Sequence, residues 1–341
     1  MHQATIKLPA HTDLGTILAF ARELDYYASH DRLIIDFGEQ RFFTPFTMLF
    51  IASKLKFFRI KSPSLKIDFR NYQAHAYLAH MGFFRMCGMD YGRDVGEAFG
   101  SGNYLPITCL ERKSFYEFPT DWYEELPDLI QRHANRLAEI IARDKDANRD
   151  LFDALSYAIR EVMRNVFEHS GSETLHYCAQ YWPKSDKVEF AIVDFGMGIR
   201  KGLGTNPNFR FPKDKEAIEY SLLPSVSGKT HLIRTSDTWF NSGYGLYMTN
   251  RLARNGGNFV LASGNAAIHL SKKTKNNYQT SFQGTALRFN FDVREIGNVK
   301  GRLEEFRKEG AEIAKNIKGS GNRPPSAMSL LLRRDYAKVW S

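Results

Sequence analysis

Three polar residues, Glu161, Asn165 and His169, recur every four positions in the segment REVMRNVFEHSGSE (160–173). On an α-helix that spacing lines up an acid, an amide and an imidazole, one turn apart. Such a row has the chemistry to hold a metal-bound phosphate and to orient a water, although a solvated helix edge shows the same pattern. Further on, FAIVDFGMGI (190–199) runs an apolar strand into Asp194, followed by Gly196, Gly198 and Ile199. Glycines after a strand permit a tight turn and close approach of backbone to a ligand. A buried carboxylate there can accept a hydrogen bond from the exocyclic amine of a base. NSGYGLYMTNRLARNGG (241–257) places Gly243, Tyr244, Gly245 and Leu246 at the opening of a helix, whose free N–H groups and positive end favour phosphate. QGTALRFNF (283–291) sets Gly284 and Thr285 at the mouth of a strand, where a small hydroxyl can reach a base or an ordered water.

Leu155, Ala158, Ile159, Val162 and Val166 form an apolar stripe beside the polar row, so the spacing predicts a helix over 151–170 with its core face next to the candidate site. After it come strand-like LHYCAQYW and KVEFAIVDFG, a loop-rich stretch to Ser242, the helix YGLYMTNRLARNGG, and strands NFVLASG, AAIHLS and GTALRFNFDV. That order predicts an α+β layout, an antiparallel sheet with helices on one side. Upstream, residues 1 to about 90 alternate the strands ATIKL, RLIIDFG and SLKIDFR with helical patterns, which predicts a small α/β unit. One of its helices opens at Thr44–Pro45, an N-cap and first-turn pair. A Gly-rich stretch closes this unit near residue 100, and a strand (LPITCL) and a long helix within 101–144 connect it to the second unit.

The chain has 341 residues, 43% hydrophobic and 13% aromatic, enough for two packed units of roughly 100 to 200 residues each. Cys87, Cys109 and Cys178 are odd in number and lack CxxC or Cys/His spacing, so they predict free thiols rather than disulfides or a zinc site. No apolar run of about 18 residues is present, and the N-terminus lacks the basic-then-apolar pattern of a secretory signal. These readings predict a cytoplasmic protein that does not enter a membrane. Net charge is +9, and residues 300–341 carry ten Lys/Arg against five Asp/Glu, so +5 of the excess sits in the last 42 residues.

Taken in order, EVMRNVFEHS, DFGMGI, GYGL and GT resemble the N-box and glycine boxes of the GHKL superfamily of ATP-binding domains, shared by histidine kinases, anti-sigma-factor serine kinases, gyrase and MutL. The resemblance covers about residues 145–295 and implies an α/β sandwich, a mixed sheet with helices on one face, that binds ATP with Mg2+. By position it implies Asn165 as the magnesium ligand, Asp194 as the adenine-reading acid with Gly196, Gly198 and Ile199 beneath the ring, and Thr285 supporting Asp194. Gly243, Tyr244, Gly245 and Leu246 would border the triphosphate. Glu161, four residues before Asn165, stands where several branches keep a general base. His169 matches the style of the anti-sigma-factor kinases and would lie near the phosphates, with helix-end packing as the other reading. Residues 201–241 would be the lid over ATP, with Lys229 and Arg234 contacting phosphate. SGKT within it is not a phosphate-binding Walker loop, because position 223 is Leu where that motif has glycine.

Within the superfamily, the gyrase branch needs a following domain, and only about 48 residues remain here. Sensor kinases need a phosphoacceptor histidine followed by acid and proline, which His133 in QRHANRLAE lacks. The order of elements in residues 1–100 loosely resembles STAS-like domains, the fold of anti-sigma-factor antagonists. Their phosphorylated serine has Thr44 as its nearest counterpart here, a position that a plain N-cap explains better. Two function classes follow: an ATPase or protein kinase that changes contacts with a STAS-like or other protein partner, or a nucleotide-gated binding module with little turnover. The second class would contact a protein, a second copy of the chain in a homodimer, or nucleic acid through the basic tail at 296–341, and bacterial defence is one setting for it.

Overall fold

The computed structural model describes residues 2–9, 13–38, 42–112, 126–143, 148–228, 243–295 and 299–317. Strands β1 (Gln3–Lys7), β2 (Arg32–Asp36) and β3 (Lys66–Arg70) form a parallel sheet in that order. Helix α1 (Leu14–Asp25) crosses from β1 to β2, and α2 (Pro45–Lys61) from β2 to β3. Asp13 caps α1 by accepting the Thr16 N–H at 3.0 Å, and Thr44 caps α2 by accepting the Thr47 N–H at 3.3 Å, with Pro45 in the first turn. After β3 come two short helices, α3 (Ala76–His80) and α4 (Phe83–Met86), separated at Gly82, which has φ 84°.

The rest of the chain builds a second, five-stranded layer. Its elements are β4 (Tyr104–Glu111), α5 (Leu126–Ala142), α6 (Arg149–Asn165), β5 (Thr174–Trp182), β6 (Lys187–Asp194), α7 (Gly198–Leu203), α8 (Asp214–Ser221), α9 (Gly245–Arg254), β7 (Gly257–Ser271), β8 (Lys275–Asp292) and α10 (Val299–Lys315). The strand order is β4-β5-β6-β8-β7, with every neighbouring pair antiparallel. The sheet is therefore not mixed. NFVLASG and AAIHLS are one strand bent at Gly264 (φ 63°), and β8 begins nine residues before the Gly284 at which it was expected. Its first half, KNNYQTSFQ, is too polar for apolar alternation to announce a strand.

Helices cover both faces of this sheet, not one. On one face Tyr177, Phe190, Ile192, Leu261, Leu287 and Phe289 pack under α5, α6, α9 and α10. On the other, the small residues Cys178, Ala191, Val193, Val260, Ala262 and Ala286 make a shallow seat for the N-terminal unit. Helix α2 lies along that seat against β5, β6 and β8, and α1 against β8. Phe50 stacks on Phe282 with ring centroids 4.7 Å apart. Buried Glu189 on β6 accepts the Phe46 N–H at 2.9 Å, placing a carboxylate at the positive end of α2. The far end of α2 stacks Phe57 on Phe195, the residue after Asp194. Apolar runs such as FAIV reflect this double coverage, since a strand buried on both faces has no polar side.

Candidate functional site

Helix α6 does not end at Asn165 but continues through a π-helical turn, Val166–Ser170. Wider turns of this kind recur at functional sites because they alter the spacing of side chains along the helix. Here the turn brings His169 and Ser170 to the same cavity as Val162, Asn165 and Val166. The cavity measures about 130 Å³ and is bounded by α6, β6, β8, α7 and the start of α9, with Ile192, Ile199, Leu203, Leu246, Leu261 and Leu287 as its apolar walls. This volume holds one ring system, and since complete small-molecule sites begin at roughly 300 Å³ the rest of a nucleotide would extend beyond it.

Asp194 forms the floor and is 2% exposed. Burial pushes its carboxyl up to about 6, and hydrogen bonds from the Gly196 N–H (2.7 Å) and from the hydroxyls of Thr285 and Ser170 partly offset that rise. Thr285 stands directly opposite Asp194 in the β6–β8 pairing. The turn that follows needs its glycines. A Cβ on Gly196 would collide with Ser170, Gly198 has φ 77°, and Gly284 has φ 85° with no room for a Cβ against the Asp194 carbonyl. The Ile199 N–H donates to Ser263 Oγ at 3.0 Å, and that hydroxyl donates to the Gly284 carbonyl at 2.7 Å, locking the turn to β7 and β8.

The opposite end of the cavity is polar. Asn165, His169, Ser221, Ser227, Gly228, Gly243 and Gly245 line it. Gly243 (φ 73°) passes so close to Ser225 and Val226 that a Cβ would lie 2.7 Å from their backbone, so residues 225–228 and the start of α9 run side by side. Ser227 Oγ is 3.3 Å from His169 Nε2, and Glu168 Oε2 is 3.7 Å from the same nitrogen. Among the described residues, no group of three or more His, Cys, Asp or Glu gathers as a metal cage. The amide oxygen of Asn165 suits a magnesium ion, which keeps waters and phosphate oxygens as most of its ligands and takes one or two from the protein.

Three of the expected site residues, Glu161, Gly196 and Tyr244, are not on the cavity wall, Gly196 lying behind Asp194 against Ser170. Glu161 does not line the cavity. It is 2% exposed, its Oε2 accepts from Arg164 Nη2 at 2.7 Å and its Oε1 from Arg160 Nη2 at 3.3 Å, beside Gly245. The reason is helical geometry: Val162, Asn165, Val166 and His169 share the cavity face, and Glu161 lies to one side, on the same flank as Arg164. Tyr244 also turns away, into the core with Tyr247, leaving Gly243, Gly245 and Leu246 on the wall. Lys229 and Arg234 lie outside the described residues. His133 points inward, with Nδ1 2.6 Å from Tyr177 Oη, and burial pushes its imidazole down to about 4. The sequence reading missed Ser170, Ser227 and Ser263, since isolated serines carry no periodic signal, whether at a helix end, in a loop or in a strand. It also missed Arg160 and Arg164, which read as ordinary helix-surface charges.

No family model, curated protein or solved structure matches the chain. Among the described residues, no helix is long and apolar enough to cross a membrane.

Proposed function

We propose that the chain binds Mg-ATP in this cavity, with adenine toward Asp194 and the phosphates toward Asn165, His169 and the first turn of α9, as a regulatory ATPase or protein kinase of the GHKL type. The observation that carries the reading is Asp194, a buried acid held by three neighbours at the floor of an apolar cleft. Such a floor suits a flat heteroaromatic ring whose amine donates to the acid while its faces meet Ile199, Leu246 and Leu287. At the other end, the N–H groups that open α9 favour anionic oxygens. Magnesium, when bound, neutralises phosphate charge and orients the transferring group. Asn165 is the residue to hold it, while the 225–228 segment and Gly243 frame the phosphate end. The N-terminal unit, STAS-like in this reading, acts as a built-in regulatory partner through α2 and Phe195.

Titration calorimetry tests the assignment. Asn165→Ala should abolish Mg-ATP binding, and Asp194→Asn should lower affinity for adenine nucleotides relative to GTP. Full affinity in the first variant, or an unchanged preference in the second, would sink it.

The ion-paired state of Glu161 favours a second reading, a nucleotide-gated binding module with little turnover. A carboxylate engaged by two guanidinium groups and off the cavity wall is out of reach of a water or hydroxyl there. Incubation with γ-labelled Mg-ATP separates the two: labelled protein supports a kinase, free phosphate an ATPase, and neither a gated binder. For the nucleic-acid version of the gated binder, a salt-sensitive DNA or RNA shift should be lost when residues 300–341 are deleted.

A further inference from the structure

Beside the proposed phosphate end, one hydroxyl and one imidazole meet in a way that neither the N-box nor the glycine boxes account for. Ser227 is 5% exposed, yet it lines the cavity, with Oγ 3.3 Å from Nε2 of His169. It is held in place. Its carbonyl accepts from Asn206 Nδ2 at 3.3 Å, the next carbonyl, Gly228, accepts from Thr205 Oγ1 at 3.2 Å, and Ser225 two residues earlier has φ 60°. Left-handed backbone at a non-glycine residue is strained and persists where the surroundings impose it. His169 is fixed from its side by the π-helical turn, with Glu168 Oε2 3.7 Å from the nitrogen that faces Ser227. Arg164 Nε, 3.5 Å from the other Glu168 oxygen, keeps that carboxylate oriented.

We propose that Ser227 is a phosphoacceptor of the chain itself, with His169 as its general base and a nucleoside triphosphate as donor. The inference rests on the Mg-ATP reading of the same cavity. In the step, Ser227 Oγ forms a bond to the γ-phosphorus, the bond from that phosphorus to the β,γ-bridging oxygen breaks, and the diphosphate leaves. The Oγ proton passes to Nε2 of His169, and the imidazolium formed is stabilised by the neighbouring Glu168 carboxylate. This assigns the proton to a residue on the cavity wall, where Glu161 is not. It also places a dianionic phosphate at residue 227, close to the positive end of α9, whose free N–H groups would attract the new charge.

The test uses the full chain and three readouts. Calorimetry with Mg-ATP comes first, since absence of binding overturns the nucleotide reading and this inference with it. Given binding, phosphopeptide mass spectrometry after incubation with Mg-ATP should find phosphate on Ser227, lost in Ser227→Ala. At saturating Mg-ATP, His169→Gln should phosphorylate at least about 100-fold more slowly than wild type, the scale of a lost general base. Without nucleotide, the Nε2 resonance of His169 in 15N NMR should move in Ser227→Ala, reporting the hydrogen bond. Binding without phosphate on residue 227, phosphate only on other residues, or an unmoved His169 resonance would each overturn the inference while leaving the nucleotide reading in place.

Discussion

Asp194 shows how one buried carboxyl ties stability to pH. Its carboxyl is raised from 3.8 to about 6, burial being the main cause. Because the folded protein holds this proton more tightly than the unfolded chain, the site's stabilising contribution is complete below pH 3.8. It is lost as pH rises through about 6. The difference corresponds to about 3 kcal/mol, so urea titrations between pH 4 and 7 should show a decline that Asp194→Asn lacks. Ligand binding runs the other way. An amine donating to the acid needs the carboxylate, so adenine-nucleotide affinity should fall about tenfold for each pH unit below about 6. Affinity independent of pH in calorimetry would count against the acid's role. Glu161 is a different case: truncating it leaves Arg160 and Arg164 buried without their shared counter-charge. Glu161→Ala should therefore lose about 3–5 kcal/mol of stability in denaturant titration. A loss of turnover in that variant would say nothing about base catalysis until its folding was measured. Glu161→Gln, which keeps the shape, is the better probe.

At the scale of elements, the turn between β6 and α7 is clamped to β8 by a glycine that has no substitute. Gly284 combines φ 85° with contact against the Asp194 carbonyl. Gly284→Ala should lose about 2 kcal/mol or more by thermal denaturation, since the left-handed conformation alone costs roughly 1–2 kcal/mol, and it should weaken nucleotide binding through Asp194. Helix α2 answers to the same turn from the other face, through Phe57 on Phe195 and Phe50 on Phe282. Phe50→Ala removes a fully buried ring and should cost about 3–5 kcal/mol. A loss under 1 kcal/mol in chemical denaturation would mean that the α2 seat is not packed as described.

The whole molecule is organised by the five-stranded sheet, which lends one face to the cavity helices and the other to the N-terminal unit. Removing residues 1–100 would expose the Cys178, Ala191, Val193, Val260, Ala262 and Phe282 face. An apolar patch of that kind is an aggregation surface, so the 101–341 fragment should bind a hydrophobic dye and precipitate where the full chain stays monodisperse. A well-behaved fragment would show the two units to be separable. The same arrangement links α2 to the cavity floor through Phe57 and Phe195. A change at α2 reaches Phe195 and the floor of the cavity without crossing solvent.

The sequence by itself determined the local elements. Apolar periodicity marked α6 and α9, Thr44–Pro45 marked the start of α2, and glycines at 196, 198, 243 and 284 marked the turns, because each signal lies within a few residues of chain. It also picked out Asn165, His169, Asp194 and Thr285, which the fold gathers around one cavity. Only the tertiary structure decided which side chains of a polar row face that cavity. Glu161 and Asn165 are one turn apart, yet the small angular offset between them, with two arginines alongside, sends one into an ion-pair network and the other to the wall. The pairing of Ser227 with His169, 58 residues apart in sequence, and the use of both sheet faces depend on which surfaces meet across the core. No periodicity within a single segment encodes that.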